Sequence, residues 1–144
     1  MYRIREVDAS EEDIAETIHE FNRLEAKFPV LSQDELEGEN CHWFMAYHGA
    51  VAVGFAGVVP SVYLPKTGYL KRSFVSPPHR GNRLQLRFFR ARERVARKKG
   101  WTTLISETTH ATASANTFIR AGYRIFDPSH RWAFQDSIYW RKEL

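Results

Sequence analysis

The stretch FVSPPHRGNRLQLRFFRARERVARKKG, Phe74 to Gly100, decides how this chain folds. It opens on apolar, strand-like residues and breaks at Pro77 and Pro78. A short basic loop with one glycine, Gly81, leads into an arginine-dense run. At about 100° per residue, Arg83, Arg87, Arg90, Arg94 and Arg97 fall on one narrow stripe of a helix. Leu84, Phe88, Ala91 and Val95 form an apolar face beside it, which Leu86, Phe89 and Ala96 widen. The helix therefore packs on a core and shows a basic edge. Residues 80–99 hold nine Lys or Arg against one acid, Glu93. At the far end, Arg90 to Lys99, such charge is common on a solvated helix face. The near end differs. A strand runs into a tight HRGN loop that opens a helix, so free N–H groups and the helix dipole point at one spot that favours phosphate. Arg80 and Arg83 add charge able to pair with phosphate oxygens.

The rest of the chain bounds the reading. Its 144 residues suit one domain spanning 1–144, and 43% hydrophobic with 14% aromatic residues is a globular composition. No apolar run is long enough to cross a bilayer. The opening MYRIREVDASEED turns acidic at once, unlike a signal peptide. A lone cysteine, Cys41, excludes an internal disulfide framework and fits a reducing, cytoplasmic location, with a buried, inert thiol expected. The net charge of +4 permits anionic partners without naming one. The six histidines and one cysteine show no metal-ligand spacing, so no metal is expected. There is no GxSxG nucleophile elbow and no GKS or GKT phosphate loop.

Hydrophobic periodicity gives the element order. YRIREV (2–7) alternates as a strand. SEEDIAETIHEFNRLEAKF (10–28) reads as a helix with Ser10 as N-cap and Asp13 at the capping-box position. Its apolar face is Ile14, Ile18, Phe21, Leu24 and Phe28, and Pro29 ends it. SQDELEG (32–38) is a short helix closed by Gly38. CHWFMAYHGAVAVGFAGVV (41–59) is a hairpin turning at His48 and Gly49. TGYLKRSFV (67–75) is the next strand, followed by the arginine helix. TTLISE (102–107) is a strand, and ATASANTFIRAG (111–122) is a helix stopped by Gly122. YRIF (123–126) and RWAFQDSIYWRKEL (131–144) form a last hairpin around DPSH. The order β, α, α, β, β, β, α, β, α, β, β predicts an α/β (mixed α+β) sheet with helices packed against it.

At this point the residues carry a resemblance. FVSPPHRGNRLQLRFFRARERVARKKGW resembles the acyl-CoA-binding motif of the GNAT superfamily of N-acyltransferases, a strand ending in a V.P..RG.G.G pattern that starts a helix. TTLISETTHATASANTFIRAGYRIF is similar to that family's second motif: strand, helix with small polar residues, then GF or GY. The resemblance covers nearly the whole chain. It implies a mixed, mostly antiparallel sheet of about seven strands with helices on both faces, and acetyl-CoA as cofactor. It places the loop Arg80, Gly81, Asn82, Arg83, Leu84 and Gln85 on the cofactor pyrophosphate, and Ser114 and Asn116 along the pantetheine arm. The sequence departs from the motif at Arg83, where the family has Gly, and at Gln85, where it has Gly or Ala. Phe118 stands where many members carry a tyrosine that protonates the departing thiolate. GYLKRSFV lacks the carboxylate that some members use as general base.

Acyl transfer to an amine needs a bound thioester, a neutral amine, an oxyanion donor and a proton for the thiolate. Backbone N–H groups near Phe74 and Val75 suit the oxyanion if the strand end splays open. Glu107 and His110, at and just beyond the end of TTLISE, are the candidate bases. Trp132, Phe134 and Tyr139 either line the acceptor pocket or pack in the core. The expected function is an N-acetyltransferase moving an acetyl group from acetyl-CoA to a primary amine of a small molecule or peptide by direct transfer. The composition leaves room for a homodimer and gives no membrane partner. The alternative is a non-catalytic module whose basic helix contacts nucleic acid. Phe88 and Phe89 weigh against it, because they sit on the core arc and not among the arginines, where they would have to stack on bases.

Overall fold

A computed structural model describes residues 1–25, 28–109 and 112–144. Seven strands form one sheet in the order β1-β2-β3-β4-β5-β7-β6. They are β1 (Tyr2–Val7), β2 (His42–His48), β3 (Val51–Pro60), β4 (Thr67–Val75), β5 (Thr103–Thr108), β6 (Arg124–Phe126) and β7 (Ile138–Glu143). β4 and β5 run parallel, and the other neighbours run antiparallel. Helices α1 (Glu12–Glu25), α2 (Gln33–Glu37), α3 (Leu84–Lys98) and α4 (Thr112–Arg120) complete the order read from the sequence.

Strand alternation splits the core in two. On β2, Phe44 and Ala46 face the α3 and α4 side with Phe88, Phe89, Leu104 and Trp140. Trp43 and Met45 face the α1 and α2 side with Ile18, Phe21 and Leu36. The sheet is thus covered on both faces, as expected.

Three local readings need correction. Helix α1 starts at Glu12 and not beside a Ser10 cap: the Ser10 hydroxyl donates to Asp8 Oδ1 (2.6 Å), and Ala15 N–H bonds Glu11 O (3.0 Å). Leu24 and Phe28 lie outside the core, at 64% and 44% exposure: Leu24 faces solvent on the last turn of α1, and Phe28 lies beyond its end at Glu25. The last hairpin is longer than a turn at DPSH. Phe126 pairs with Tyr139, so residues 127–137 form the connection, and Trp132 and Phe134 sit in it. Its backbone is held by side chains: Arg131 Nη2 donates to Ser137 O (3.0 Å), and Ala133 N–H to Tyr139 Oη (2.9 Å). Helix α2 carries the capping box that α1 lacks, with Ser32 Oγ accepting from Glu35 N–H and Glu35 Oε1 from Ser32 N–H, each at 3.1 Å.

Helix α3 buries more than its apolar face. Arg92 and Glu93 are both buried, at 2% and 5% exposure. Glu93 accepts from Tyr123 Oη (3.0 Å) and Lys142 Nζ (3.1 Å), tying α3 to the far end of the sheet. Burial, then the Glu93 charge, holds the Tyr123 phenol well above its ordinary value, so it stays a donor. Cys41 is half-buried, and burial pushes its thiol up, away from the reactive thiolate.

Phe118 joins α4 to this core. Its ring meets Phe89 edge-on at 5.0 Å, Tyr123 edge-on at 5.4 Å and Trp140 stacked at 5.5 Å. Because the ring is only partly buried, Phe118→Ala is expected to lower unfolding free energy by about 2–3 kcal/mol in urea titration, below the fully buried range. Ile119→Ala, one residue on and mostly exposed, is expected to change it by less than about 0.5 kcal/mol.

Candidate active site

The site begins where two strands part. β4 and β5 pair at Thr67 with Thr103, Gly68 with Leu104 and Tyr69 with Ile105. Ser106 Oγ then donates to Leu70 O (3.0 Å), and beyond it Lys71–Val75 pair with β3 while Ser106–Thr108 pair with β7. A cleft therefore opens between the C-terminal halves of two parallel strands. The divergence coincides with a β-bulge: Ala56 pairs with Ser73 and Gly57 with Lys71, which leaves Arg72 as the extra residue at φ +60°. Position 57 must be glycine, because a Cβ there would lie 2.4 Å from the Trp43 ring and 2.9 Å from Lys71 O.

Glu107 stands at the closed end of the cleft. Its Oε1 accepts from Tyr69 Oη at 2.5 Å and its Oε2 from Trp132 Nε1 at 3.3 Å. One strand neighbour and one residue of the 127–137 connection thus fix both oxygens. The Tyr69 phenol is held far above its ordinary value, first by burial and next by the Glu107 charge, so it remains a donor. Trp132 stacks on Tyr63 (4.8 Å) and meets Tyr139 edge-on (4.7 Å). Tyr139 is buried, Trp132 partly so, and Phe134 is exposed on the surface. Arg72 caps the same side: its Nη2 donates to Pro29 O (2.9 Å), its Nη1 lies 3.9 Å from Glu25 Oε1, and its guanidinium covers the Phe28 ring at 5.1 Å.

The basic loop lies at the open end. One 3₁₀ turn, Pro77–His79, leads to Gly81 at φ +84° and Arg83 at φ +60°, and α3 starts at Leu84. Arg83 occupies the left-handed region that glycine adopts freely, which explains why a glycine suits this motif position. The Arg83 side chain is exposed. Arg80 Nε donates to Val75 O (2.9 Å), and its guanidinium lies 5.8 Å from the Phe74 ring centroid. Asn82 Nδ2 donates to His79 O (2.9 Å) and Tyr2 Oη (3.2 Å), and Ser73 Oγ donates to Gln85 Oε1. Among the described residues no group accepts from the N–H groups of Gly81 to Leu86. These six amides lie at and just before the start of a 15-residue helix, where free N–H groups and the helix dipole favour an anion.

The other candidates fall around these two ends. Phe74, Val75 and Leu84 have buried side chains and present only backbone. Ser114 and Asn116 are exposed on α4, which flanks α3 through the Phe118–Phe89 contact. His110 lies outside the described residues. Tyr69, Tyr63 and Arg72 were not singled out by the sequence. Their one signal in the sequence is that Tyr69 and Arg72 lie in GYLKRSFV, the strand where some family members place a carboxylate.

The sequence profile of the Acetyltransferase (GNAT) family matches residues 4–123. The chain belongs to this family. No curated protein matches it by sequence. Solved structures share the fold. A Klebsiella pneumoniae protein assigned to the acyl-CoA N-acyltransferases superposes with a TM-score of 0.81 at 24% identity, covering 100% of this chain and 98% of that one. An aminoglycoside 6'-N-acetyltransferase complexed with coenzyme A gives 0.81 at 16%, with 98% and 96% coverage. The ribosomal-protein-S18-alanine N-acetyltransferase of Escherichia coli gives 0.76 at 16%, with 99% and 94% coverage. At these identities the likeness is one of fold. Family membership supports N-acyl transfer from an acyl-CoA to an amine. Among the described residues no helix is long and apolar enough to cross a membrane, and no cluster of His, Cys, Asp or Glu suits a metal.

The left-handed Arg83 in this GNAT loop carries a stability cost of about 1–2 kcal/mol. Arg83→Gly is therefore expected to leave the protein as stable or up to about 1 kcal/mol more stable, part of the relief being offset by glycine's larger unfolded entropy. Arg83→Val is expected to destabilise, because a β-branched residue tolerates this region least. Denaturant midpoints of the two variants check the assignment.

Proposed function

We propose that this GNAT protein is an acetyl-CoA-dependent N-acetyltransferase acting by direct transfer to a primary amine of a small molecule or peptide, with Glu107 as base. One observation carries the reading. A single cleft has a clamped carboxylate at its closed end and six unpaired amides beside Arg80 and Arg83 at its mouth. The pyrophosphate of acetyl-CoA is assigned to the N–H groups of Gly81 to Leu86. The pantetheine is assigned to the gap between β4 and β5, along Ser114 and Asn116.

The chemistry then balances as follows. The amine arrives as an ammonium and gives a proton to Glu107 or to a water that Glu107 holds. The neutral nitrogen attacks the thioester carbonyl carbon, and the oxyanion is met by backbone N–H near Phe74 and Val75. Collapse breaks the C–S bond and releases coenzyme A thiolate, and the nitrogen gives up its second proton to water as the amide forms. Phe118 has no proton to give, so water protonates the thiolate. Each Glu107 oxygen accepts one hydrogen bond and keeps a lone pair for the substrate proton.

Glu107→Gln is expected to lower kcat about 10²-fold or more while the dissociation constant for acetyl-CoA barely changes. A glutamine variant with wild-type kinetics removes Glu107 from the mechanism. Tyr69→Phe removes a hydrogen bond to a charged group worth about 1.5–3 kcal/mol, so kcat is expected to fall about tenfold or more. Because the Tyr69 phenol is held above its ordinary value, it does not titrate in the assay range. The basic limb of the pH–rate profile should therefore stay where it is in this variant.

The phosphate assignment has its own check. Arg83→Ala is expected to weaken acetyl-CoA binding by about 1.5–3 kcal/mol and to leave pantetheine binding unchanged. Arg94→Ala, about three turns along the same stripe, is expected to do almost nothing. Equal losses from both in titration calorimetry would indicate diffuse electrostatics and overturn the cradle.

A further inference from the structure

The β4 bulge that opens the cleft has an unusual support. Arg92, on the sheet-facing side of α3, has almost no exposed surface. Its Nε donates to Phe88 O (3.2 Å), and its Nη1 donates to Gly57 O (3.3 Å) and Arg72 O (3.4 Å). Its guanidinium stands over the Phe89 ring at 4.9 Å. Gly57 and Arg72 are the residues at the register shift itself. A bulge leaves ladder groups without partners, and buried carbonyls need donors. A planar guanidinium reaches two such carbonyls at once, which few other side chains can do.

The expense of this arrangement argues for a purpose. Among the described residues no carboxylate lies within salt-bridge distance of Arg92, and the neighbouring Glu93 is committed to Tyr123 and Lys142. Burial pulls the guanidinium down to about 10 from its ordinary value. A buried cation without a direct ion-pair partner is costly, and well-packed apolar residues often replace buried charges without loss of stability. Stability alone therefore does not account for Arg92.

We propose that Arg92 is a positioning residue: from inside α3 it pins the carbonyls of Gly57 and Arg72, fixes the bulge and so sets the angle at which β4 leaves β5. The same bulge turns the Arg72 side chain toward Pro29 and Glu25. It also lies three residues past Tyr69, the donor to Glu107. Arg92 thus acts on the β4 wall of the cleft through main chain, without touching substrate. Its kinetic consequence rests on the acetyl-transfer reading above, whereas its structural consequence does not.

The test compares wild type with Arg92→Met, Arg92→Gln and Arg92→Lys by amide hydrogen exchange and by steady-state kinetics. In Arg92→Met the amides of residues 70–75 are expected to exchange at least about tenfold faster, with β1, β2 and β7 unchanged. kcat should fall about tenfold or more, because a small misplacement of the reacting groups is expensive. The coenzyme A dissociation constant should stay within about threefold, since the loop amides are untouched. Arg92→Lys should recover part of both effects. A folded Arg92→Met protein with wild-type exchange over 70–75 overturns the proposal, as does exchange raised equally throughout the sheet, which marks a merely structural core residue. If Arg92→Met does not fold, Arg92→Gln decides by the same criteria. If the wild-type protein acetylates no amine, the exchange measurement still judges Arg92 alone.

Discussion

Parallel pairing between β4 and β5 stops after three residue pairs, and the rest of the molecule is arranged around that stop. A parallel ladder shares its hydrogen bonds evenly along its length, so ending it early exposes two strand edges inside a sheet. The two facing edges are left without ladder partners, while β3 holds β4 and β7 holds β5 from their far edges. The bulge at Arg72 bends β4 away, and the Arg92 guanidinium satisfies the carbonyls that the bend releases. The gap that results is lined by backbone that no longer needs the sheet, which is what a thioester and its arm require.

Charge follows from the same geometry. Once β4 leaves β5, its end points at the start of α3, and six N–H groups gather there. A helix dipole and unpaired amides attract an anion within the first turn only, so Arg80 and Arg83 matter more than the cations further along. Arg87 shows the transition: it turns back to donate to Tyr2 O (3.1 Å), joining α3 to β1 instead of facing the loop. Arg90, Arg94 and Arg97 are exposed, as a solvated face would be. The arginines of the stretch are therefore placed in three ways: beside free amides at the start, anchoring α3 to β1 in the middle, and on a solvated face at the end. Arg92 adds a fourth, buried among carbonyls.

The sequence reveals elements better than contacts. Strand and helix order is legible because periodicity and punctuation by Pro and Gly are local. The loop is legible because strand, break, glycine and basic helix follow one another within a dozen residues. Arg92 is not, although its spacing from Leu84 and Phe88 puts it on the apolar face. A cation at such a position looks like a rim residue until its acceptors are known, and those acceptors are carbonyls 20 and 35 positions away. Tyr69 is hidden for the same reason, since Glu107 lies 38 residues further on. RWAFQ alternates like a strand, yet the 127–137 connection is held by hydrogen bonds involving side chains and not by a ladder.

Phe118 shows how these constraints meet. A phenol at that position would need its hydroxyl satisfied or wet, and here the ring is taken up by Phe89, Tyr123 and Trp140. The hydrocarbon edge strengthens the joint between α4 and α3, which holds one wall of the cleft. In exchange position 118 offers no phenolic acid for a leaving thiolate. A thiolate tolerates that loss better than an amide or alkoxide would, because it departs without prior protonation. The demanding proton is the one on the incoming ammonium, which must be removed before attack. In the proposed reaction that demand falls on Glu107, whose two oxygens Tyr69 and Trp132 hold in place. The fold thus gathers its polar contacts around Glu107, the proposed base, and packs apolar side chains around position 118.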